Sequence, residues 1–452
     1  MSRASVRGRL KLGKWDLRVL LEVLVFSEEY KPFQVAKRMV LTKYGLLGTS
    51  KDKVFTAFLY NIWRLQGLID RIIGQVLGIG VDRLHPWLRA LLRLYTYQRL
   101  WAHKEHPDMT EWIERYAPKV LAEKASQGEL VLWERYKSRL RRERPPIDAV
   151  EEKFLVSHFI YERLVAFIGR RETENLLAFL RDWVPPIPLR VNVLKATVDE
   201  VLEELKSLGA RAWKSQRCPV TVFAERGFDI KKLKALQEGK VIVQDEPSAI
   251  ASIILNLRPG ETIVDLCAAP GGKTTHLAEL MGGKGVVYAF DIYPDRIKRL
   301  KEVVKRHDVD TVVEPIMADG RQAPRLLGEE IADKVLVDPP CSSTGTIAKN
   351  PDVRWRINQA DLRKLTQQQE QLLEAGIKLA RPGGLILYTV CSLFREEGED
   401  IVKRVLLKHP EIELVRLEGP YTQSPTLPGT MRAWPHKHQV TGFYYALLRK
   451  KA

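Results

Sequence analysis

Two cysteines and four aspartates stand where apolar runs end, and these side chains are the ones in the sequence best placed to do chemistry. Asp265 closes TIVD, Asp291 closes GVVYAFD, Asp319 stands in IMADGR and Asp338 follows the apolar run in VLVDPPC. Cys341 comes three residues after Asp338, and Cys391 directly follows LILYTV. A thiolate can add to carbon 6 of a pyrimidine, leaving carbon 5 electron-rich enough to take a methyl group from a sulfonium. Carboxylates at strand ends suit the hydroxyls of a nucleoside. Each residue also has an ordinary reading, because Asp is common in turns and Cys is a small core residue. What points to a site is their recurrence at equivalent edges.

The elements that must position them start with TIVDLCAAPGGKTTHLAEL, Thr262 to Leu280. A β-branched strand breaks at Pro270, Gly271 and Gly272, then a helical pattern resumes. That order sets backbone N–H groups and the positive end of a helix beside the carboxyl end of a strand, where a nucleotide-like ligand docks. A phosphate loop of the form G-x-x-x-x-G-K-[ST] needs its first glycine at position 267, which is Cys267. A nucleoside such as S-adenosylmethionine needs the glycines and carboxylates but no phosphate cradle, and Asp291, 26 residues after Asp265, is suitably placed for its ribose. Pro339 and Pro340 stiffen the loop after Asp338. If VLVD and LILYTV are neighbouring strands, Cys341 and Cys391 meet at one edge.

Apolar residues recur at three and four from Trp15 to about Arg142, the pattern of an all-α domain. Its aromatics Trp63, Trp87, Tyr95, Tyr97 and Trp101 are interleaved with Arg64, Arg93 and Arg99, read either as core or as base stacking beside phosphate contacts. RLRRERPP, Arg139 to Pro146, reads as a linker, and two helices follow over Ala149–Phe167 and Thr173–Arg181. The next stretch has the order βαββαβ, with DIKKLKALQEG as its second helix; the aromatic signature of RNA-recognition modules is missing from it. From Glu246 strands and helices alternate as in an α/β parallel sheet. These patterns divide the chain into 1–145, 146–245 and 246–452.

The 452 residues carry a net charge of +17, unevenly spread: residues 1–150 hold 28 Lys and Arg against 16 Asp and Glu. Such a basic module suits a polyanion, above all nucleic acid. Cys218, Cys267, Cys341 and Cys391 show no C-x-x-C spacing, so neither a zinc site nor a disulfide framework is expected, and a reducing cytoplasm fits. Glu22 interrupts the apolar run VLLEVLVF, which argues against a signal peptide.

DLCAAPGGKTTHLAE, DPPCSSTGTIAKNPDVRWR and YTVCSLFREEGED together resemble the motifs of the Sun/Fmu family of RNA cytosine-5 methyltransferases, from about Leu189 to the end. The helical region is similar to the NusB-like RNA-binding domain of that family's ribosomal-RNA members. The resemblance implies a Rossmann-like class I methyltransferase domain, S-adenosylmethionine as cofactor and RNA, ribosomal or transfer, as partner. A monomer is expected, with no metal, and since no run of 18 apolar residues occurs, no membrane span either. By the same resemblance Cys391 is the nucleophile, Cys341 assists release and Asp338 contacts the cytosine. Cys267, Ala268, Ala269, Pro270, Gly271, Gly272, Lys273, Asp291, Arg296, Asp319 and Asp338 would hold the cofactor. The family's His-Gly-Thr-Asp-Gly reads here as His438-Gln439-Val440-Thr441-Gly442. The rival readings are a phosphate-loop ATPase acting on nucleic acid, opposed by Cys267, and a non-catalytic RNA-binding protein, opposed by the two strand-end cysteines.

Overall fold

The computed structural model describes residues 12–30, 33–140, 146 and 148–452. Packing separates two compact units, drawn differently from the three segments expected above. One contains the described residues up to Tyr161 together with Asn350–Arg356; the other contains Glu162–Lys349 and Ile357–Ala452.

The first unit is helical. Its longest helix, Ser50–Leu77, starts where the Thr49 hydroxyl accepts from the Asp52 N–H, and it ends at Gly78 in the left-handed region. Phe55, Leu59, Ile62, Ile69, Ile73 and Leu77 line its buried stripe at helical spacing. The aromatics are core: Trp63, Tyr95 and Tyr97 are buried, and Trp87 and Trp101 pack partly buried against the same cluster. Arg93 is no phosphate contact. It is buried, 2.7 Å from Asp70 and 2.6 Å from Glu28. Arg139 is still helical and donates to the Val76 carbonyl, so the helix Gln127–Leu140 takes in the start of the expected linker; residues 141–145 lie outside the described residues. The expected helix Ala149–Phe167 is two, Ala149–Phe154 and His158–Ile168, broken at Leu155 with φ 54°. The Ser157 N–H donates to the Arg354 carbonyl, and Trp355 Nε1 donates to the Arg64 carbonyl, which fastens the segment Asn350–Arg356 into this unit.

The second unit holds two sheets. The smaller one has β1 (Ile187–Val191), β2 (Ala212–Lys214), β3 (Thr221–Ala224) and β4 (Val241–Val243), antiparallel in the order β2-β3-β1-β4. Leu189, Val191, Val222, Ala224 and Val241 face a core shared with the helix Val198–Ser207. The second expected helix is a 3-10 turn, Ile230–Lys232, and a short helix, Lys234–Gln237. Leu233 between them is extended because its side chain is buried and the Glu204 carboxylate caps the N–H groups of Lys234 and Ala235.

The larger sheet has β5 (Thr262–Asp265), β6 (Val286–Asp291), β7 (Val313–Met317), β8 (Ala332–Val337) and β9 (Ala380–Val390) in parallel, ordered β7-β6-β5-β8-β9. β13 (Phe443–Lys450) closes it antiparallel against β9, and β10 (Ile412–Val415), β11 (Thr422–Gln423) and β12 (Met431–Ala433) extend that edge. Strand order reverses at β5 beside β8, and in such a sheet ligands bind outside the carboxyl ends at that point. No helix among the described residues is long and apolar enough to cross a membrane.

Candidate active site

At the reversal point lies a cavity of about 230 Å³ lined by Asp265, Cys267, Ala268, Ala269, Pro270, Gly272, Lys273 and Asp338. The turn is shaped for close approach. Gly271 has φ +107°, and a Cβ there would come 2.8 Å from Leu300. The helix Gly272–Leu280 then points its N-terminal end into the cavity.

Asp265 is wholly buried. It accepts from the Thr274 hydroxyl at 2.8 Å and from the Cys267 N–H at 3.4 Å. Burial, with the nearby Asp338 charge adding to it, pushes its carboxyl up to about 7. Burial also pushes the Cys267 thiol up. Lys273 Nζ lies 2.7 Å from Asp338 Oδ2. Burial opposes the Lys273 charge, but the Asp338 carboxylate outweighs it and holds the ammonium above its ordinary range.

Four of the expected cofactor residues do not line this cavity: Gly271, which shapes the turn, and Asp291, Arg296 and Asp319. Asp291, 5% exposed, stands at the end of β6, accepts from the Tyr293 N–H at 3.2 Å and lies 3.2 Å from Arg296. Arg296 also donates to the Ala269 carbonyl, which ties it to the turn. Asp319 caps the 3-10 turn Gly320–Gln322 and is gripped by Arg321 through Nε and Nη2, which holds its carboxyl below the usual range.

Sequence reasoning passed over the opposite wall, Gln244, Asp245 and Ser248. The buried amide nitrogen of Gln244 has no hydrogen-bond partner, whereas its oxygen accepts from Arg190 at 2.5 Å. Gln244 lines the cavity, and that nitrogen is buried beside Gly272 at the start of the helix. The sequence signal was slight: VIVQDEPSA ends a strand, as the other four carboxylate runs do.

The two cysteines come together as neighbouring strands predict: Cys341 Sγ and Cys391 Sγ are 3.3 Å apart. A hydrogen bond from Cys341, with Lys273 adding to it, holds the Cys391 thiol below its ordinary range against burial. The same bond, together with burial, pushes the Cys341 thiol well up. Their loops are pinned by Glu397, a residue that sequence reasoning did not single out. Buried Glu397 accepts from the Ser342 N–H at 2.8 Å, from Gln369 Nε2 at 2.9 Å and from the Ser392 hydroxyl at 2.5 Å. Ser342 and Ser392 each follow one of the cysteines. Gly345 lets the backbones close up: its N–H donates to the Cys391 carbonyl at 3.0 Å, and a Cβ there would fall 2.0 Å from the Gly442 carbonyl oxygen.

Residues 252–449 match the family model described as 16S rRNA methyltransferase RsmB/F, and residues 18–110 match that of the NusB family. A protein named probable ribosomal RNA small subunit methyltransferase B, from Synechocystis sp., is 31% identical over 430 residues, covering 92% of this chain and 95% of that one. The ribosomal RNA small subunit methyltransferase B of Salmonella paratyphi B is 36% identical over 267 residues, 59% of this chain and 60% of that one. The crystal structure of PH0851 superposes with a TM-score of 0.88 at 40% identity, covering 98% of this chain and all of that one.

Proposed function

The chain belongs to the RsmB/F family of ribosomal RNA methyltransferases, and on that premise we propose that it methylates carbon 5 of a cytosine in small-subunit ribosomal RNA through a covalent adduct on Cys391. The observation that carries this reading is the cysteine pair, two sulfurs 3.3 Å apart at neighbouring strand ends, with the Cys341 thiol pushed up and the Cys391 thiol held down.

Cys391 adds to carbon 6 of the cytosine, and the electron pair shifts to carbon 5. Asp338, held by Lys273, accepts a hydrogen bond from the base and fixes its plane over the pair. When bound, S-adenosylmethionine supplies a methyl group on a sulfonium that this carbon can take. Gln244, Asp265 and the turn from Cys267 to Lys273 form the pocket for it, with Asp291 for its ribose and Arg296 bracing the turn. Asp319, held in its Arg321 fork, lies outside that pocket and takes the weakest part. The carbon 5 proton then leaves to a base that the Cys341 thiol orders, and the carbon–sulfur bond breaks as Cys391 regains its electron pair. The basic helical unit contributes affinity for the RNA backbone.

The test is to incubate the protein with an in vitro transcript of small-subunit ribosomal RNA and S-adenosylmethionine, digest the RNA and identify the methylated nucleoside. 5-Methylcytidine is expected. Label in any other nucleoside contradicts the reading.

A further inference from the structure

A cavity of about 660 Å³ in the second unit lies apart from the cofactor pocket, against β2 and β3 of the small sheet. We propose that it is a subsite for an unpaired RNA nucleotide flanking the target cytosine, stacked on Trp213; this rests on the methyltransferase reading above.

One wall is aromatic. Trp213 on β2 and Phe223 on β3 are cross-strand partners whose rings stack at 5.9 Å and 29°. Trp213 is nevertheless 41% exposed, and an exposed indole lining a cavity is a stacking platform for a base. The sheet's other face is buried against its own helices, and on this face Arg190 of β1 is buried against Glu279 and Thr275, so the pair stands at the β2–β3 end that the cavity reaches. Around it stand Lys214, Arg217, Arg226 and Lys437, against Glu225 and Glu246. Arg217 is held in place rather than floating: its guanidinium lies 3.6 Å from buried Glu246 and over the ring of Tyr421. Cations beside an aromatic platform suit a nucleotide, with the base on the ring and the phosphate at the cations.

The cavity adjoins the chemistry on two sides. Glu246 lines it, while the preceding Gln244 and Asp245 line the cofactor pocket. Its other wall, Lys437–Val440, leads two residues on to Gly442, whose N–H donates to the Gly345 carbonyl at 2.9 Å, and Gly345 in turn holds the Cys391 carbonyl. Gln439 and Val440, where this sequence departs from its family's His-Gly-Thr-Asp-Gly, are part of that wall. Two of the three departures, the third being Thr441, therefore fall where a neighbouring base would be read, with the exposed Gln439 amide offering both a donor and an acceptor.

The experiment measures KM for the ribosomal RNA transcript with full-length protein, and S-adenosylmethionine affinity by calorimetry as the control for intact folding. Loss of one stacked base raises KM about fivefold to a hundredfold in Trp213→Ala. Trp213→Phe restores most of it, and cofactor affinity does not move. Trp213→Ala with the wild-type KM overturns the subsite while leaving the enzyme reading intact. A wild-type protein that methylates no RNA overturns both. If Trp213→Ala also loses cofactor affinity, the exposed Lys214→Gln decides: a raised KM supports the subsite and an unchanged one overturns it.

Discussion

The sulfurs of Cys341 and Cys391 face each other at 3.3 Å across the ends of two neighbouring parallel strands, although 50 residues separate them in the chain. Neither strand alone fixes that distance. Glu397 does, because one carboxylate bonds the residue after each cysteine.

Glu397→Gln should therefore damage catalysis without touching the cofactor pocket. Its one oxygen can still serve the Ser342 N–H, but its amide N–H groups then face Ser392, whose hydroxyl must turn from donating to accepting, and the charge on the acceptor is lost, which costs about 1–3 kcal/mol. Methylation should fall by roughly tenfold or more, with S-adenosylmethionine affinity within about twofold of wild type and the pH profile of kcat displaced. An unchanged rate and profile would remove Glu397 from the account.

Asp291 tests the cofactor assignment. Hydrogen bonds to a charged acceptor are worth about 1.5–3 kcal/mol, so Asp291→Ala should weaken S-adenosylmethionine by roughly tenfold to a hundredfold. Arg296 would lose its partner but keep its bond to the Ala269 carbonyl. Calorimetry giving the wild-type affinity would sink the ribose role.

Burial raises the Asp265 carboxyl to about 7, whereas in the unfolded chain it titrates near 3.8. Between those values the folded protein holds a proton that the unfolded chain has lost. This group therefore makes stability fall as pH rises from about 4 to about 7, and adds no further change above that. Asp265→Asn, which can still accept from Thr274, removes the effect. The wild-type protein should lose up to about 4 kcal/mol relative to the variant across that window, read by denaturant unfolding at pH 4.5 and 7.5. Parallel pH curves would show that Asp265 is ionised throughout.

Much of the site was legible because it sits where local patterns end. Strand-final carboxylates, the glycine turn and the strand-end cysteines are sequence-local features, and a parallel sheet brings their carboxyl ends to one edge. Asp319 looked equivalent to Asp291 on that basis, but two residues past its strand it turns back to Arg321. Gln244 and Glu397 were passed over because their roles depend on what packs opposite them. The same holds for Arg93, whose partners Glu28 and Asp70 lie 65 and 23 residues away. The small sheet showed no RNA-recognition signature in sequence, since Trp213 and Phe223 become a stacked pair only through the register of β2 and β3. The segment Asn350–Arg356 carries no sequence sign that Trp355 fastens it into the helical unit.

The most direct test of the central claim is denaturing electrophoresis of the two cysteine variants after incubation with S-adenosylmethionine and ribosomal RNA. Cys341→Ser keeps the attacking thiol but impairs release, so it should accumulate an RNA–protein adduct that survives denaturation. Cys391→Ser should form no adduct and transfer no methyl group. An adduct in Cys391→Ser with none in Cys341→Ser would contradict the account, exchanging the roles of the two sulfurs.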